Sequence, residues 1–234
     1  MKGCKLERSF PTTNILWFKD NRYAGSNIDW WLQIIIHGFS KSSFASFLTA
    51  SLTPGISFKD INIDNIKDKI TSQLQLLLEV FKGNAIGITG TKGKSTTSTL
   101  IHKIIKDQGY DTYLLGNIGN PMFDDIEKFN SDTYLVIEMS SLQLEFVNTS
   151  PHIGIVLNLL EDHLDHAGSV YHYHECKMNM FKYQESNDYS IYSLDDIHTV
   201  NWLNTNKYSS NMYKVTLNNN VDNNIIYLEN DNVI

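Results

Sequence analysis

The chain has 234 residues, of which 41% are apolar and 12% aromatic, enough to build the core of one large or two modest domains. Its 26 acidic residues outnumber its 19 basic ones, and the net charge of −7 argues against general binding to nucleic acid or anionic membranes. We therefore expect small-molecule substrates.

Cys4 and Cys176 are too few for a disulfide framework. Together with the lack of an apolar signal segment or membrane span, they predict a cytoplasmic location.

The first 83 residues carry weak patterns. Apolar runs predict strands at 15–18 and 31–36. Apolar residues spaced three and four apart predict a single amphipathic helix over 62–81. This helix would lead directly into the next strand.

The stretch 84–108 carries the strongest pattern. Residues 85–89 form a short apolar run typical of a buried strand, and 95–108 show helical spacing. Between them lies the sequence Gly-Thr-Lys-Gly-Lys-Ser-Thr at 90–96. In such a turn the backbone N–H groups point inward, Lys94 adds a mobile charge, and Ser95 or Thr96 offers a hydroxyl to Mg²⁺. We predict a cradle for ATP or GTP, although the strict pattern would need a glycine at Ile88; the alternative is a tight turn without a ligand.

Strands and helices alternate along the rest of the chain. The sequence predicts strands at 111–115, 133–138, 153–158 and 189–193, and helices at 123–129 and 171–183. This alternation is typical of a parallel sheet with right-handed crossovers, so we predict an α/β nucleotide-binding domain. The last two strands, 213–217 and 225–228, are predicted to pair antiparallel through an Asn-rich turn.

Polar side chains fall near the ends of consecutive elements of this domain. Glu138 ends one strand, His163 follows the next, and Lys177 lies on the helix after it. Because ligands bind at the carboxyl ends of parallel strands, we expect these groups to converge on the glycine-rich loop. Ser95 and Glu138 would supply the hard oxygen ligands that Mg²⁺ prefers.

A second set of potential metal ligands is concentrated between residues 163 and 176. Its members are His163, Asp165, His166, His172, His174 and Cys176. His172 and His174 are two residues apart and would point to different faces of a helix, and there is no Cys-x-x-Cys pair. The sequence therefore favours surface histidines over a structural zinc site.

Five motifs in order resemble the central ATPase domain of the Mur ligase family. They are GITGTKGKST at 87–96, GNIG at 116–119, EMSSLQLE at 138–145, NLLEDHLD at 158–165, and Lys177. The resemblance extends over about 84–196. It implies a parallel-sheet P-loop ATPase of the α/β class. The SSLQLE and GNIG elements are most similar to family members that add D-glutamate during peptidoglycan synthesis.

The resemblance also implies roles for the matching residues. Lys94 would bind the β- and γ-phosphates of ATP, Ser95 and Glu138 a first Mg²⁺, and His163 a second. Lys177 matches a lysine that carbon dioxide carbamylates, which requires a neutral amine, and the carbamate would help to hold the second ion. The implied catalytic residues are thus Lys94, His163 and Lys177. The implied nucleotide-binding residues are Gly90, Thr91, Lys92, Gly93, Lys94, Ser95 and Thr96, and the implied substrate-binding residues are Asn117, Ser140 and Gln143.

The implied reaction is ATP-dependent amide formation. The carboxylate of UDP-N-acetylmuramoyl-L-alanine would attack the γ-phosphate to give an acyl phosphate, and the amine of D-glutamate would then displace phosphate. ATP and Mg²⁺ are the implied cofactors, and we expect a monomer.

Compared with the family, the chain looks incomplete. Residues 1–83 would be a short, degenerate UDP-binding domain of Rossmann-like type, and 84–234 a truncated central ATP-binding domain, with the C-terminal ligase domain absent. We therefore expect descent from a ligase without complete activity in this chain alone. The alternatives are a non-catalytic ATP-binding remnant and another amide ligase of the Mur or folylpolyglutamate type.

Overall fold

The strands of the protein form two separate sheets. The structure is a computed structural model that describes residues 4–9, 15–20, 31–35, 49–52, 70–81, 83–120, 122–161, 169–218, 225–229 and 232–233. The chain divides into two units, Met1–Leu76 and Leu77–Ile234, and each unit contains one sheet. None of the helices in the described ranges combines the length and apolarity that a bilayer crossing requires.

The sheet of the first unit is mostly antiparallel. Its strands follow chain order: β1 (Cys4–Ser9), β2 (Ile15–Asp20), β3 (Trp31–Ile35), β4 (Thr49–Leu52) and β5 (Ile70–Ser72). The predicted strands at 15–18 and 31–36 are confirmed. Only β4 and β5 pair in parallel, so the sheet differs from the Rossmann-like region that we expected. Short links such as 10–14 suit hairpins, whereas parallel pairing needs a link of a dozen residues or more, as at 53–69.

The helix predicted over 62–81 is much shorter in the structure. Helix α1 covers Gln73–Val80, and residues 70–72 belong to β5, while 62–69 lie outside the described residues. The Ser72 hydroxyl accepts a hydrogen bond from the Gln75 N–H at 3.0 Å. Because a serine in this position caps the first turn of a helix, it explains why α1 begins where it does.

The sheet of the second unit confirms the predicted α/β class. Its strands are β6 (Asn84–Thr89), β7 (Thr112–Gly116), β8 (Tyr134–Glu138), β9 (Ile153–Val156), β10 (Tyr189–Ser193), β11 (Asn211–Thr216), β12 (Ile225–Glu229) and β13 (Asn232–Val233). Their order is β13-β12-β11-β10-β9-β6-β8-β7. The seven strands β6 to β12 are parallel, and β13 adds an antiparallel edge.

The pairing of β11 with β12 corrects the sequence prediction. The two strands are parallel, with Lys214 opposite Ile225 and Thr216 opposite Tyr227. An Asn-rich link shows that the chain turns, but it does not fix the direction in which the next strand returns to the sheet. That direction depends on pairing with the strand already in place.

Strand β6 lies where the order of the sheet changes direction. The chain passes from β6 to β7 at the edge, returns through β8 beside β6, and then crosses to β9 on the other side of β6. Such a switch point opens a crevice at the carboxyl ends of the strands, which is where ligands bind in open α/β sheets. The glycine-rich loop follows β6 directly.

Helices cover both sides of this sheet. They are α2 (Lys94–Asp107), α3 (Ser141–Leu144), α4 (Val170–Lys182) and α5 (Ile197–Thr205), and a 3₁₀ turn at Ile126–Lys128 replaces the helix predicted at 123–129. Ile101 and Ile105 of α2 pack against a core cluster that includes Ile86 and Val136. Their spacing of four residues places both side chains on one face of the helix.

Two glycines allow α4 to lie close to the sheet. Gly87 of β6 pairs with Gly154 of β9. A Cβ atom at Gly87 would come within 2.9 Å of the Met180 sulfur, and one at Gly154 within 3.0 Å of Met180 Cγ. Because a side chain at either position would push the helix away, the glycine pair sets the distance between α4 and the strands.

We expect Gly116→Ala to destabilise the second unit strongly. Gly116 has φ of 105°, and a Cβ atom there would lie 2.1 Å from the Glu138 carbonyl oxygen. Gly109 is a matched control, because its φ is 85° and no atom lies within 4 Å of its Cβ position. In urea unfolding, Gly109→Ala should cost about 1 kcal/mol and Gly116→Ala about 3 kcal/mol or more. Equal losses in the two variants would contradict this account.

Candidate active site

The loop between β6 and α2 has the backbone of an anion-binding turn. Gly93 caps α2 with φ of 85°, and Gly90 has φ of 153° with only 2.9 Å between its Cβ position and Leu157 Cβ. Helix α2 then begins at Lys94. Because the first N–H groups of a helix have no acceptor within the helix, the amides of Lys94, Ser95 and Thr96 can serve an anion.

Asn158, two residues after the end of the neighbouring strand β9, holds the first residues of this loop. Its Oδ1 accepts hydrogen bonds from the N–H groups of Thr91 (3.0 Å) and Lys92 (2.9 Å), and its Nδ2 donates to the Lys92 carbonyl at 3.1 Å. The Thr91 hydroxyl also exchanges two hydrogen bonds of 3.0 Å with the backbone of Leu160. The loop is therefore shaped before any ligand binds.

Two lysine side chains converge on the carbonyl oxygen of Gly90. The amines of Lys94 and Lys177 each donate to it at 2.9 Å, although the two residues belong to different helices. Lys94 also donates to the Thr91 carbonyl, and Lys177, only 1% exposed, lies 4.6 Å from the centre of the Tyr173 ring. Two ammonium groups this close repel each other, so an added negative charge would be stabilised here.

Glu138 has a buried carboxylate oxygen that lacks a hydrogen-bond partner among the described residues. It ends β8, opposite Ile88 of β6, and its side chain is buried at 3% exposure. Among the described atoms, none forms a hydrogen bond with its Oε2. Since a buried carboxylate without a partner is costly, the oxygen fits the ligand set of a divalent cation.

The other predicted metal ligands are placed only in part. Ser95 is exposed in the first turn of α2, next to the loop, and Lys177 reaches the loop from α4. His163 lies outside the described residues, as do Asp162, Asp165 and His166. The structure therefore brings Lys94, Ser95 and Lys177 to one loop and leaves the second predicted ion without a described histidine.

The predicted substrate-binding residues lie at the ends of β7 and β8. Asn117 is exposed, and its N–H donates to the Glu138 carbonyl at 3.3 Å. Ser140 and Gln143 form a capping box at the start of α3: the Ser140 hydroxyl accepts from the Gln143 N–H, and Gln143 Oε1 accepts from the Ser140 N–H. Both side chains are thus held in place by the helix that they begin.

Two ionisable groups on α4 are buried rather than exposed. His174 is 7% exposed, so it is an exception to the surface position that we expected for most of these histidines, and burial lowers its pKa with a further contribution from nearby His198. Burial raises the pKa of Cys176 to about 12, and the carboxylates of Glu145 and Glu175 add to this effect. Both groups are therefore neutral at pH 7.

Sequence reasoning missed two residues that organise the site. Asn158 ends a predicted strand, which was a usable signal, but its contact with the loop spans 66 or more positions. Asp196 caps α5 and accepts hydrogen bonds from the N–H groups of Leu159 and Thr199, each at 3.0 Å. It thereby ties the segment that follows β9 to the start of α5.

The family assignment follows from a direct match to known sequences. The sequence model of the family described as "Mur ligase middle domain" matches residues 88–233, more than half of the chain. The chain belongs to the Mur ligase family. The matched region begins in β6 and includes the loop, Glu138 and Lys177.

Curated relatives agree with this assignment. A protein of Clostridium botulinum named UDP-N-acetylmuramoylalanine--D-glutamate ligase is 40% identical over 127 residues, which is 54% of this chain and 28% of the relative. A protein of the same name from Symbiobacterium thermophilum is 36% identical over 148 residues, 62% of this chain and 32% of the relative. The chain thus matches about a third of the length of these relatives.

A solved structure supports the fold. The structure of a UDP-N-acetylmuramoyl-L-alanyl-D-glutamate--2,6-diaminopimelate ligase superposes with a TM-score of 0.50 at 25% identity. The superposition covers 68% of this chain and 36% of that one. The similarity agrees with the parallel sheet of the second unit.

We expect Asn158→Ala to loosen the loop. The substitution removes three side-chain hydrogen bonds to Thr91 and Lys92, which should lower the free energy of unfolding by about 2 kcal/mol. It should also speed hydrogen exchange of the Lys92 amide. Asn206→Ala is the control, because its amide bonds to Trp202 and Thr205 of its own helix. Unchanged hydrogen exchange at the Lys92 amide in the Asn158 variant would refute the role of Asn158 in holding the loop.

We expect His174 to make the protein less stable in acid. Its pKa in the folded state lies below the ordinary value, so the unfolded chain takes up the proton first as the pH falls. The contribution of the neutral imidazole is complete above about pH 6.5 and is lost below it. His174→Gln should flatten the fall in unfolding free energy between about pH 7 and pH 5. Identical slopes for the variant and the parent would contradict this assignment.

Proposed function

We propose that the protein is an ATP-dependent ligase of peptidoglycan precursor synthesis that joins D-glutamate to UDP-N-acetylmuramoyl-L-alanine. The shared name of its curated relatives supports the choice of substrates. The observation that carries the chemistry is the buried Glu138 oxygen at the end of β8, which has no hydrogen-bond partner among the described residues and lies beside the strand that precedes the phosphate loop. The phosphates of a nucleoside triphosphate would bind to the loop, and the metal ion that accompanies them would bind to the Glu138 oxygen.

In this proposal the loop binds the phosphates of ATP. The amides at the start of α2 face the anion, and Asn158 has already fixed the preceding turn, so little ordering is needed on binding. Lys94 rests on two carbonyl oxygens of its own loop, from which its amine can move to a phosphate oxygen. Its charge would then stabilise the negative charge that develops during phosphoryl transfer.

Ser95 and Glu138 would hold Mg²⁺ in this site. The hydroxyl and the carboxylate are hard oxygen ligands of the kind that the ion requires. When bound, the ion supplies neutralisation of phosphate charge. Glu138 in turn gains the partner that the described residues do not provide for its Oε2.

Carbamylation of Lys177 would change the electrostatics around Gly90. The unmodified amine shares the Gly90 carbonyl with Lys94, and two cations repel at this distance. A carbamate would replace one positive charge by a negative one and turn the repulsion into attraction. It would also place a second anionic oxygen donor near the loop.

The muramoyl-peptide would bind at the carboxyl ends of β7 and β8. Asn117 is exposed there, and the capping box of α3 holds Ser140 and Gln143 in fixed positions beside Glu138. The substrate carboxylate would attack the γ-phosphate, and the amine of D-glutamate would displace phosphate from the acyl phosphate. Both ATP and UDP-linked precursors are cytoplasmic metabolites, which places the proposed reaction in the cytoplasm.

The proposal is tested by ATP binding and by phosphate release with UDP-N-acetylmuramoyl-L-alanine and D-glutamate. We expect Lys94→Ala to weaken ATP binding at least about tenfold, because it removes a charge-assisted contact. Glu138→Gln should abolish the dependence of binding on Mg²⁺. Lys103→Ala is the matched control, since this exposed lysine of the same helix pairs only with Asp107 in the described contacts.

Each outcome of these assays has a distinct meaning. ATP binding that needs Lys94 but never leads to ligation would agree with the expected lack of complete activity and favour the alternative, a non-catalytic nucleotide-binding protein, whereas phosphate release that depends on both substrates would support the ligase. Ligation with a folate substrate instead would identify another kind of amide ligase. ATP binding that is unaffected by both substitutions would refute the site itself.

A further inference from the structure

A second group of potential metal ligands lies where α3 meets α4. Glu145 follows the last turn of α3, and His172 and Cys176 belong to α4. One ligand atom from each residue lies within 4.8 Å of the other two. We call these three residues the Glu145 cluster; no role in the proposed ligase reaction uses their side chains.

The cluster combines residues that helix geometry places side by side. His172 and Cys176 are four positions apart, so their side chains share one face of α4. The Cys176 sulfur lies 3.5 Å from His172 Nε2. Glu145 Oε1 lies 3.3 Å from the same nitrogen, across the contact between the two helices.

These separations match those of ligands around a tetrahedral metal ion. Typical zinc bond lengths to sulfur, nitrogen and oxygen give expected separations of about 3.6 Å for a sulfur–nitrogen pair and about 3.4 Å for a nitrogen–oxygen pair. The observed 3.5 Å and 3.3 Å differ from these values by about 0.1 Å. The Cys176 sulfur and the Glu145 oxygen lie within 4.8 Å of each other, so an ion would draw this third pair together to about 3.6 Å.

The ring nitrogen of His172 that faces away from the cluster, Nδ1, lies next to a carboxylate, as is common for histidines that bind metal ions. Nδ1 lies 3.3 Å from Glu175 Oε2, while Nε2 faces Glu145 and Cys176. In proteins a metal-binding histidine commonly donates its other N–H to a carboxylate, which orients the ring and makes the binding nitrogen more basic. Glu175 provides this carboxylate one helical turn away on α4.

The cluster is closed on one side and open on the other. Cys176 is only 4% exposed, whereas the side chains of His172 and Glu145 are 41% and 29% exposed. An ion could therefore enter from solvent and retain a water molecule as a fourth ligand. Three protein ligands with one open position is a common arrangement for zinc.

We propose that Glu145, His172 and Cys176 bind a zinc ion, with Glu175 as the residue that orients His172. A thiolate, an imidazole and a carboxylate suit Zn²⁺ and are a poor set for Mg²⁺, which prefers oxygen ligands alone. Binding would take the Cys176 sulfur as thiolate and release its proton to solvent. The ion would link the end of α3 to α4, the helix that carries Lys177.

Cobalt provides a direct probe of this site in the full chain. The protein is treated with a chelator, dialysed, and titrated with Co²⁺ in the presence of excess Mg²⁺, which occupies oxygen-ligand sites. We expect one Co²⁺ per chain, a thiolate-to-cobalt charge-transfer band, and displacement by Zn²⁺. Absence of the band, or a band that Zn²⁺ does not remove, would overturn the proposal.

Substitutions assign the ligands. Cys176→Ser should abolish the band and Cys4→Ser, the matched control, should retain it, while the reverse result would overturn the proposal. Glu175→Gln should weaken binding about 10- to 100-fold, as removal of an orienting partner does. His172→Gln alters a partly exposed side chain, so the variant should keep the circular dichroism spectrum of the parent. Its affinity for Co²⁺ should fall at least as much as that of the Glu175→Gln variant. Parent-like affinity in a folded His172 variant would show that the three groups form only hydrogen bonds.

Discussion

The contact of α4 with the sheet controls the geometry around the phosphate loop. Gly87 and Gly154 pair on adjacent strands and leave room for Met180, so the helix approaches more closely than any larger residue would allow. One turn earlier on the same helix, Lys177 reaches the Gly90 carbonyl that Lys94 also contacts. A chain segment almost ninety positions away thus becomes part of the loop's surroundings.

The loop also depends on partners at the ends of its neighbouring strands. Asn158, after β9, fixes the amides of Thr91 and Lys92. Glu138, at the end of β8, presents beside β6 an oxygen without a partner in the described part of the chain. All three strands are parallel, so their carboxyl ends open on the same edge of the sheet. The change of strand order at β6 places the loop between these two contributors.

Helix α4 joins two different chemistries within two turns. Lys177 faces the loop, while Cys176 and His172 face Glu145 at the end of α3. Successive positions of a helix point in different directions, so one residue can serve the proposed ATP site and its neighbour the proposed zinc site. An ion in the second site would restrain the helix that positions the first.

The strand, loop and helix at 84–108 could be predicted from the sequence because apolar periodicity and glycine chemistry act over a few residues. The α/β class followed from the alternation of strands and helices, and the family from the resemblance of five motifs in order. Tertiary structure decided the antiparallel pairing in the first unit, the parallel return of β12, the clamp by Asn158 and the meeting of Glu145 with His172. Each of these joins segments through packing or strand pairing, and their partners and directions depend on where the rest of the chain already lies.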